Sequence, residues 1–185
     1  MHMAYDFSKL KGGIKEKEEW LKKELSQIRT GRANPSVLDS VEVEAYGSRM
    51  PIEGVASVTI EDARSLRLSP WDPANIKPLE KAISTASLGV SVSVDERGIR
   101  VSFPELTSER RAIIVKAAKD KLEHTRIGLR QLRDEVIKDI DVKEKAGGMG
   151  EDEKFRLKAE VQKTMDAATK ALDEHFAKKE KEILQ

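Results

Sequence analysis

The chain has 185 residues, 38% hydrophobic, 4% aromatic and 36% charged, with a formal net charge of +1 and no cysteine. So high a charged fraction with so few aromatics points to long solvated helices and away from a compact α/β enzyme. Near-cancellation of charge excludes a whole-molecule basic field, so nucleic-acid contact has to come from a local patch, and disulfides and thiolate metal sites are excluded outright.

The first helix is expected roughly from Asp6 to Thr30, with Leu10, Ile14, Leu21, Leu25 and Ile28 at helical steps. Gly12-Gly13 weakens its start, and Gly31 and Pro35 are expected to end it. The opening Met1-His2-Met3 carries no weight.

From about Ser36 to Pro104 the pattern turns to strands. Val41 to Tyr46 alternates with period two before Gly47, and 55–60 and 65–69 are further strand candidates. A short helix is centred on Leu79 to Ala86. Segments 91–94 and 99–103 flank Asp95-Glu96-Arg97-Gly98, a natural hairpin turn. Tyr46, Trp71 and Phe103 are expected in the core of this segment.

Helical periodicity returns after Pro104. Thr107 or Ser108 can cap a helix whose positions Ile114, Ala118, Leu122, Thr125, Leu129, Leu132, Val136 and Ile140 advance in threes and fours. At roughly 35 residues it spans about 50 Å. Residues 146–150 break it. A last helix carries Val161, Met165, Ala168, Leu172, Phe176 and Ile183.

Helices with one apolar stripe each are not stable alone in water. The expected fold is therefore α+β: a long antiparallel three-helix bundle from residues 1–31 and 106–185, with a small β/α/β domain, residues 32–105, inserted after the first helix. The two crossings, near 32–35 and 103–106, read as a hinge, with Gly31, Ala33, Pro35, Pro104 and Glu105 as its residues.

No catalytic constellation emerges. His2, His124 and His175 lack ligand spacing, so neither a metal site nor a cofactor is expected. Gly147-Gly148-Met149-Gly150 has no following Lys-Ser/Thr and reads as a turn between helices. The basic residues are more informative. Lys119, Arg126, Arg130 and Arg133 fall within about 60° on one helix flank. Lys15, Lys22 and Arg29 repeat at sevens on the first helix, with Arg32 just beyond. Such rows suit backbone-phosphate recognition, although a row of this kind on a charged helix also reads as a solvated face. Trp20 and Trp71 are too isolated to form a stacking platform.

Two segments carry a family resemblance. Ile28-Arg29-Thr30-Gly31-Arg32-Ala33-Asn34-Pro35 resembles the signature that closes the first helix of ribosome recycling factors, and Leu106-Thr107-Ser108-Glu109-Arg110-Arg111 is similar to the start of that family's second bundle helix. Tyr46-Gly47, Glu80-Lys81-Ala82-Ile83, Leu88-Gly89 and Ile99-Arg100 follow in the family's order, and Lys179-Glu180-Lys181-Glu182 is similar to its C-terminal end. The resemblance implies an L-shaped molecule approximating transfer RNA, whose bundle binds the large ribosomal subunit and its 23S rRNA. It further implies that elongation factor G, by hydrolysing GTP, drives the inserted domain and splits the post-termination ribosome, this protein catalysing nothing itself.

By matching position, Arg29, Arg32, Arg130 and Arg133 are the implied rRNA contacts, and Lys22, Arg110, Arg111, Lys119 and Arg126 are further candidates. The family usually shows Arg-Asn-x-Arg-Arg, whereas Arg130-Gln131-Leu132-Arg133-Asp134 ends on an acid. The glycine-rich turn also departs from the family's commoner charged one. We expect a cytoplasmic monomer, since no secretory segment, Arg/Ser-rich presequence or apolar run near ~18 residues is present. The competing reading is a helical structural or chaperone-like module that binds protein partners through its bundle surface.

Overall fold

In the computed structural model, residues 5–185 are described, so Met1-His2-Met3, including His2, lies outside the described residues. The chain forms two compact units, one built from residues up to Leu25 with Lys116–Glu180, the other from Ser26–Val115 with Lys181–Gln185.

The first unit contains most of three helices, α1 (Ser8–Ser26), α3 (Ser108–Lys145) and α4 (Glu151–Leu184), while the short helix α2 (Ile76–Thr85) belongs to the other unit. The Asp6 carboxylate caps α1, accepting from the Ser8 backbone N–H at 2.8 Å. That bond holds the Asp6 carboxyl below the usual range. Lys9 pairs with Glu135 and Lys121 with Glu24, so α1 and α3 run antiparallel. Lys158 pairs with Asp141 and Arg126 with Asp173, making α3 and α4 antiparallel as well. Ala118, Leu122, Thr125, Leu129, Leu132, Val136 and Ile140 of α3 are all buried, as are Leu157, Val161, Met165, Ala168 and Leu172 of α4.

Gly12-Gly13 does not interrupt α1. A Cβ on Gly13 would stand 2.6 Å from Leu132 Cδ2, so the missing side chain is what lets α3 pack closely there. Between α3 and α4, Gly147 adopts φ 77°. Its N–H bonds the Glu144 carbonyl at 2.9 Å while the Gly148 N–H bonds that of Lys143 at 2.9 Å. These are the two bonds of a Schellman C-cap.

The second unit holds a hairpin of β1 (Glu42–Ala45) and β2 (Ser48–Pro51), with β3 (Ala56–Asp62), β4 (Ser65–Pro70), α2 (Ile76–Thr85), β5 (Ser91–Asp95) and β6 (Gly98–Ser102). Strands β3 to β6 form an antiparallel sheet in the order β3-β4-β6-β5. Leu66, Leu68, Ile99 and Val101 point from its central strands into a core closed by Leu79 and Ile83 of α2, Val43 of β1 and Phe103. The β5–β6 turn lies where expected, at Asp95 to Gly98.

Four expectations are corrected. Helix α1 stops at Ser26, not Thr30, because the Asn34 side chain donates to the Ser26 carbonyl at 2.8 Å and then caps the turn beginning at Pro35. Gly31 is therefore not the helix terminator, and its φ is not positive. Strand β2 was not expected at all. Tyr46 and Trp71 are 71% and 66% exposed, whereas Phe103 is 1% exposed. Tyr46 sits at a left-handed turn position with φ 53°, which turns it off the strand's alternation, and its hydroxyl accepts from Asn75 at 3.1 Å. Trp71 follows the end of β4, past the alternation that buries Leu66 and Leu68.

Candidate nucleic-acid interface

Within the first unit, the α3 stripe that faces the bundle leaves one flank outside the seam. Arg126, Arg130 and Arg133 stand together on that flank and line a groove of about 240 Å³ over Leu129 and Met165. Gln162, Asp166 and Thr169 of α4 supply the opposite wall. Lys119, seven residues before Arg126, is exposed and makes no ion pair among the described residues.

Each arginine of the groove has a carboxylate partner. Arg130 Nη2 donates to Glu123 at 2.7 Å, which holds the Glu123 carboxyl below the usual carboxylate range. Arg133 donates through Nε and Nη2 to Asp134 at 3.0 and 2.9 Å. Arg126 Nη2 reaches Asp173 of α4 at 2.6 Å, and that hydrogen bond raises the guanidinium above its ordinary value. Exposed ion pairs contribute about 0–1 kcal/mol, so Arg130 and Arg133 can exchange their carboxylates for phosphate oxygens at little cost. Arg126 differs because it ties α3 to α4.

Lys22 of α1 is exposed and pairs with Glu18 at 3.0 Å. Glu18 also bonds His175 Nε2 of α4 at 2.8 Å, and this bond, with that of Lys22, depresses the Glu18 carboxyl. The spacing that placed Lys15, Lys22 and Arg29 on one face breaks at Arg29, which lies beyond the helix.

In the second unit, Arg29 is half-buried and donates to the Pro104 carbonyl at 2.6 Å. Burial, then the nearby Arg110 charge, lowers its pKa. Arg32 is exposed, and its guanidinium has no partner among the described residues. Arg110 is exposed, and its backbone N–H bonds the Thr107 hydroxyl at 3.2 Å, so Thr107 caps α3. Arg111 donates to the carbonyls of Leu106 and Ile183 at 3.3 and 3.2 Å. The four are thus unlike: Arg32 and Arg110 are open to a partner, while Arg29 and Arg111 are engaged on backbone carbonyls.

Two of the expected hinge residues, Ala33 and Glu105, meet the β3–β4 turn, as does Phe103. Ala33 N–H bonds the Ala63 carbonyl at 2.9 Å, and Phe103 N–H bonds that of Arg64 at 2.7 Å. Glu105 pairs with the Arg64 guanidinium.

Among the described residues no group of three or more His, Asp or Glu is placed to hold a metal, and no helix is long and apolar enough to cross a membrane. His124 packs against Trp20 with ring centroids 5.1 Å apart and planes inclined at 49°, and His175 is committed to Glu18. Sequence reasoning missed Gln162 and Thr169, which lie seven apart on one flank of α4 and could have been found by the same helical count applied to polar residues. The pairing of Arg126 with Asp173 left no signal, since it joins residues 47 apart.

A family model described as ribosome recycling factor matches residues 21–184. A ribosome-recycling factor of Desulfotalea psychrophila is 40% identical, over 95% of this chain and 96% of that protein. Another, from Rubrobacter xylanophilus, is 39% identical over the full length of both. The solution structure of a ribosome recycling factor superposes with a TM-score of 0.77 at 31% identity, covering 96% of this chain and 95% of that one. A Thermus thermophilus ribosome recycling factor, positioned with Escherichia coli elongation factor G on the E. coli post-termination complex, gives 0.67 at 35% identity over 97% of both chains.

Proposed function

The chain belongs to the ribosome recycling factor family, and from that premise we propose that it binds the large ribosomal subunit after termination and acts with elongation factor G to split the post-termination complex. Elongation factor G hydrolyses the GTP. This protein contributes shape and RNA contact and catalyses no reaction. The observation that carries the reading is the basic groove of α3 and α4, with Arg126, Arg130 and Arg133 side by side in a chain whose net charge is only +1. A relative named for its place beside elongation factor G on a post-termination complex supports the choice of partner.

Arg130 and Arg133, with Lys119 beside them and Arg32 and Arg110 in the second unit, contact phosphates of 23S rRNA. Lys22 adds to this contact. Arg126, Arg29 and Arg111 hold the scaffold that presents them. The domain of residues 32–105 moves on its two crossings, Arg32 to Pro35 and Phe103 to Leu106, and the protein acts as a monomer in the cytoplasm.

Binding to isolated large subunits over a series of salt concentrations tests this assignment. Arg133→Ala should weaken binding and reduce the slope of log K against log salt by roughly one contact's worth, about 0.7–0.9. Unchanged binding and slope for Arg130→Ala/Arg133→Ala would remove the groove from the interface.

A further inference from the structure

The β1–β2 hairpin closes through Tyr46 and Gly47, both at positive φ (53° and 78°), with Ala45 opposite Ser48. This is the two-residue turn in which the closing pair exchanges both backbone hydrogen bonds. Hydrogen-bonded and non-bonded pairs alternate from there, so Val43 and Met50 bond each other, while Glu44/Arg49 and Glu42/Pro51 do not. Pro51 agrees with that register, because at a non-bonded position its missing N–H costs nothing.

It follows that the backbone N–H and C=O of Glu42 and Glu44 point away from β2. Among the described residues β1 has no second strand neighbour. Its free edge opens instead on a groove of about 760 Å³, lined by Glu42 and Glu44 on one side and Lys77, Lys81 and Thr85 of α2 on the other. Lys77 and Lys81, one helical turn apart, are exposed and make no ion pair among the described residues.

We propose that this groove receives an extended, acidic peptide segment of a protein partner, which pairs with the free edge of β1 beneath α2. An unpaired strand edge facing a helix is the arrangement that takes up an added strand, with main-chain bonds supplying affinity and the flanking side chains selectivity. Two unpaired ammonium groups on the helix wall select for carboxylates. Alternation sets the carboxylates of such a peptide on the α2 side, toward Lys77 and Lys81, and its apolar residues on the side of Glu42 and Glu44, of which Glu44 is already paired with Arg49. The inference goes beyond the family assignment and does not depend on it.

Amide hydrogen exchange of the full chain, followed residue by residue by NMR, tests it with a blocked hexapeptide alternating valine and glutamate. The expected result is slowed exchange, by about tenfold at saturation, at the Glu42 and Glu44 amides. Lys77→Glu/Lys81→Glu, two exposed substitutions, should transfer the protection to a valine–lysine hexapeptide. Unprotected Glu42 and Glu44 amides up to the solubility of the peptide would overturn the proposal. So would equal protection by the N-methylated peptide, or perturbation of Lys77 and Lys81 by oligouridylate alone, which would make the groove a phosphate site.

Discussion

Arg133 and Asp134 are neighbours in sequence whose side chains are bonded at 2.9 Å, so the acid that stands where the family usually shows an arginine occupies one candidate RNA contact. Replacing Asp134 by alanine should free the guanidinium and tighten large-subunit binding two- to threefold, about 0.5 kcal/mol, the scale of an exposed ion pair. Titration against isolated subunits reads this, and weaker binding would mean that Asp134 itself contributes to the interface. Arg29 belongs to a different class. Its half-buried guanidinium satisfies the Pro104 carbonyl, and a charged hydrogen bond of this kind contributes about 1.5–3 kcal/mol. Arg29→Ala should therefore lower the midpoint of urea unfolding, whereas Arg32→Ala, at an exposed and unpaired side chain, should leave it unchanged. Helical counting found the row from Lys119 to Arg133 because α3 continues uninterrupted across it. The same counting misplaced Arg29, because α1 ends at Ser26, where the Asn34 side chain takes up the last carbonyl.

At the scale of elements, α1 and α3 pack closely at Gly13. Gly13→Ala sets a methyl 2.6 Å from Leu132 Cδ2 and should destabilise the first unit by about 1–3 kcal/mol, against the gain in helix propensity. Thermal unfolding compared with Gly12→Ala, where nothing lies within 4 Å, separates the two effects. The far half of α3 should also respond to acid. Asp139 is held below the usual range by Lys143 and Tyr5, and Asp141 by Lys158 and Lys154. Carboxyls depressed in the folded state contribute stability that is fully present above their unfolded values, about 3.9, and lost as pH falls through the folded ones. Denaturant titrations at falling pH should show that loss in the wild type, and less of it in Asp139→Asn/Asp141→Asn. The bundle was legible because each helix carries an apolar stripe long enough to fix its face, and the positions from Ala118 to Ile140 are buried as their spacing requires. Strand β2 was not, because Ser48, Arg49 and Pro51 are exposed and only Met50 is partly covered, leaving no alternation to read. Tyr46 and Trp71 misled for a related reason: aromatic character predicts burial only where the backbone keeps to the strand's alternation.

For the whole molecule, the two units are built differently. The first is a helical bundle whose α3–α4 groove carries arginines paired with carboxylates. The second is a separately cored β-rich unit whose crossings are fastened to one turn, through Ala63 and Arg64. Glu105→Ala, which removes the ion pair to Arg64 but no backbone bond, should leave subunit binding intact and alter only the splitting rate; a loss of binding would place Glu105 in the interface. Subunit splitting is read by light scattering of post-termination bacterial ribosomes mixed with this protein, elongation factor G and GTP. Scattering should fall only when all three are present, and more slowly with Arg130→Ala/Arg133→Ala. Ribosomes that stay intact with cognate factor and GTP supplied would contradict the proposed function.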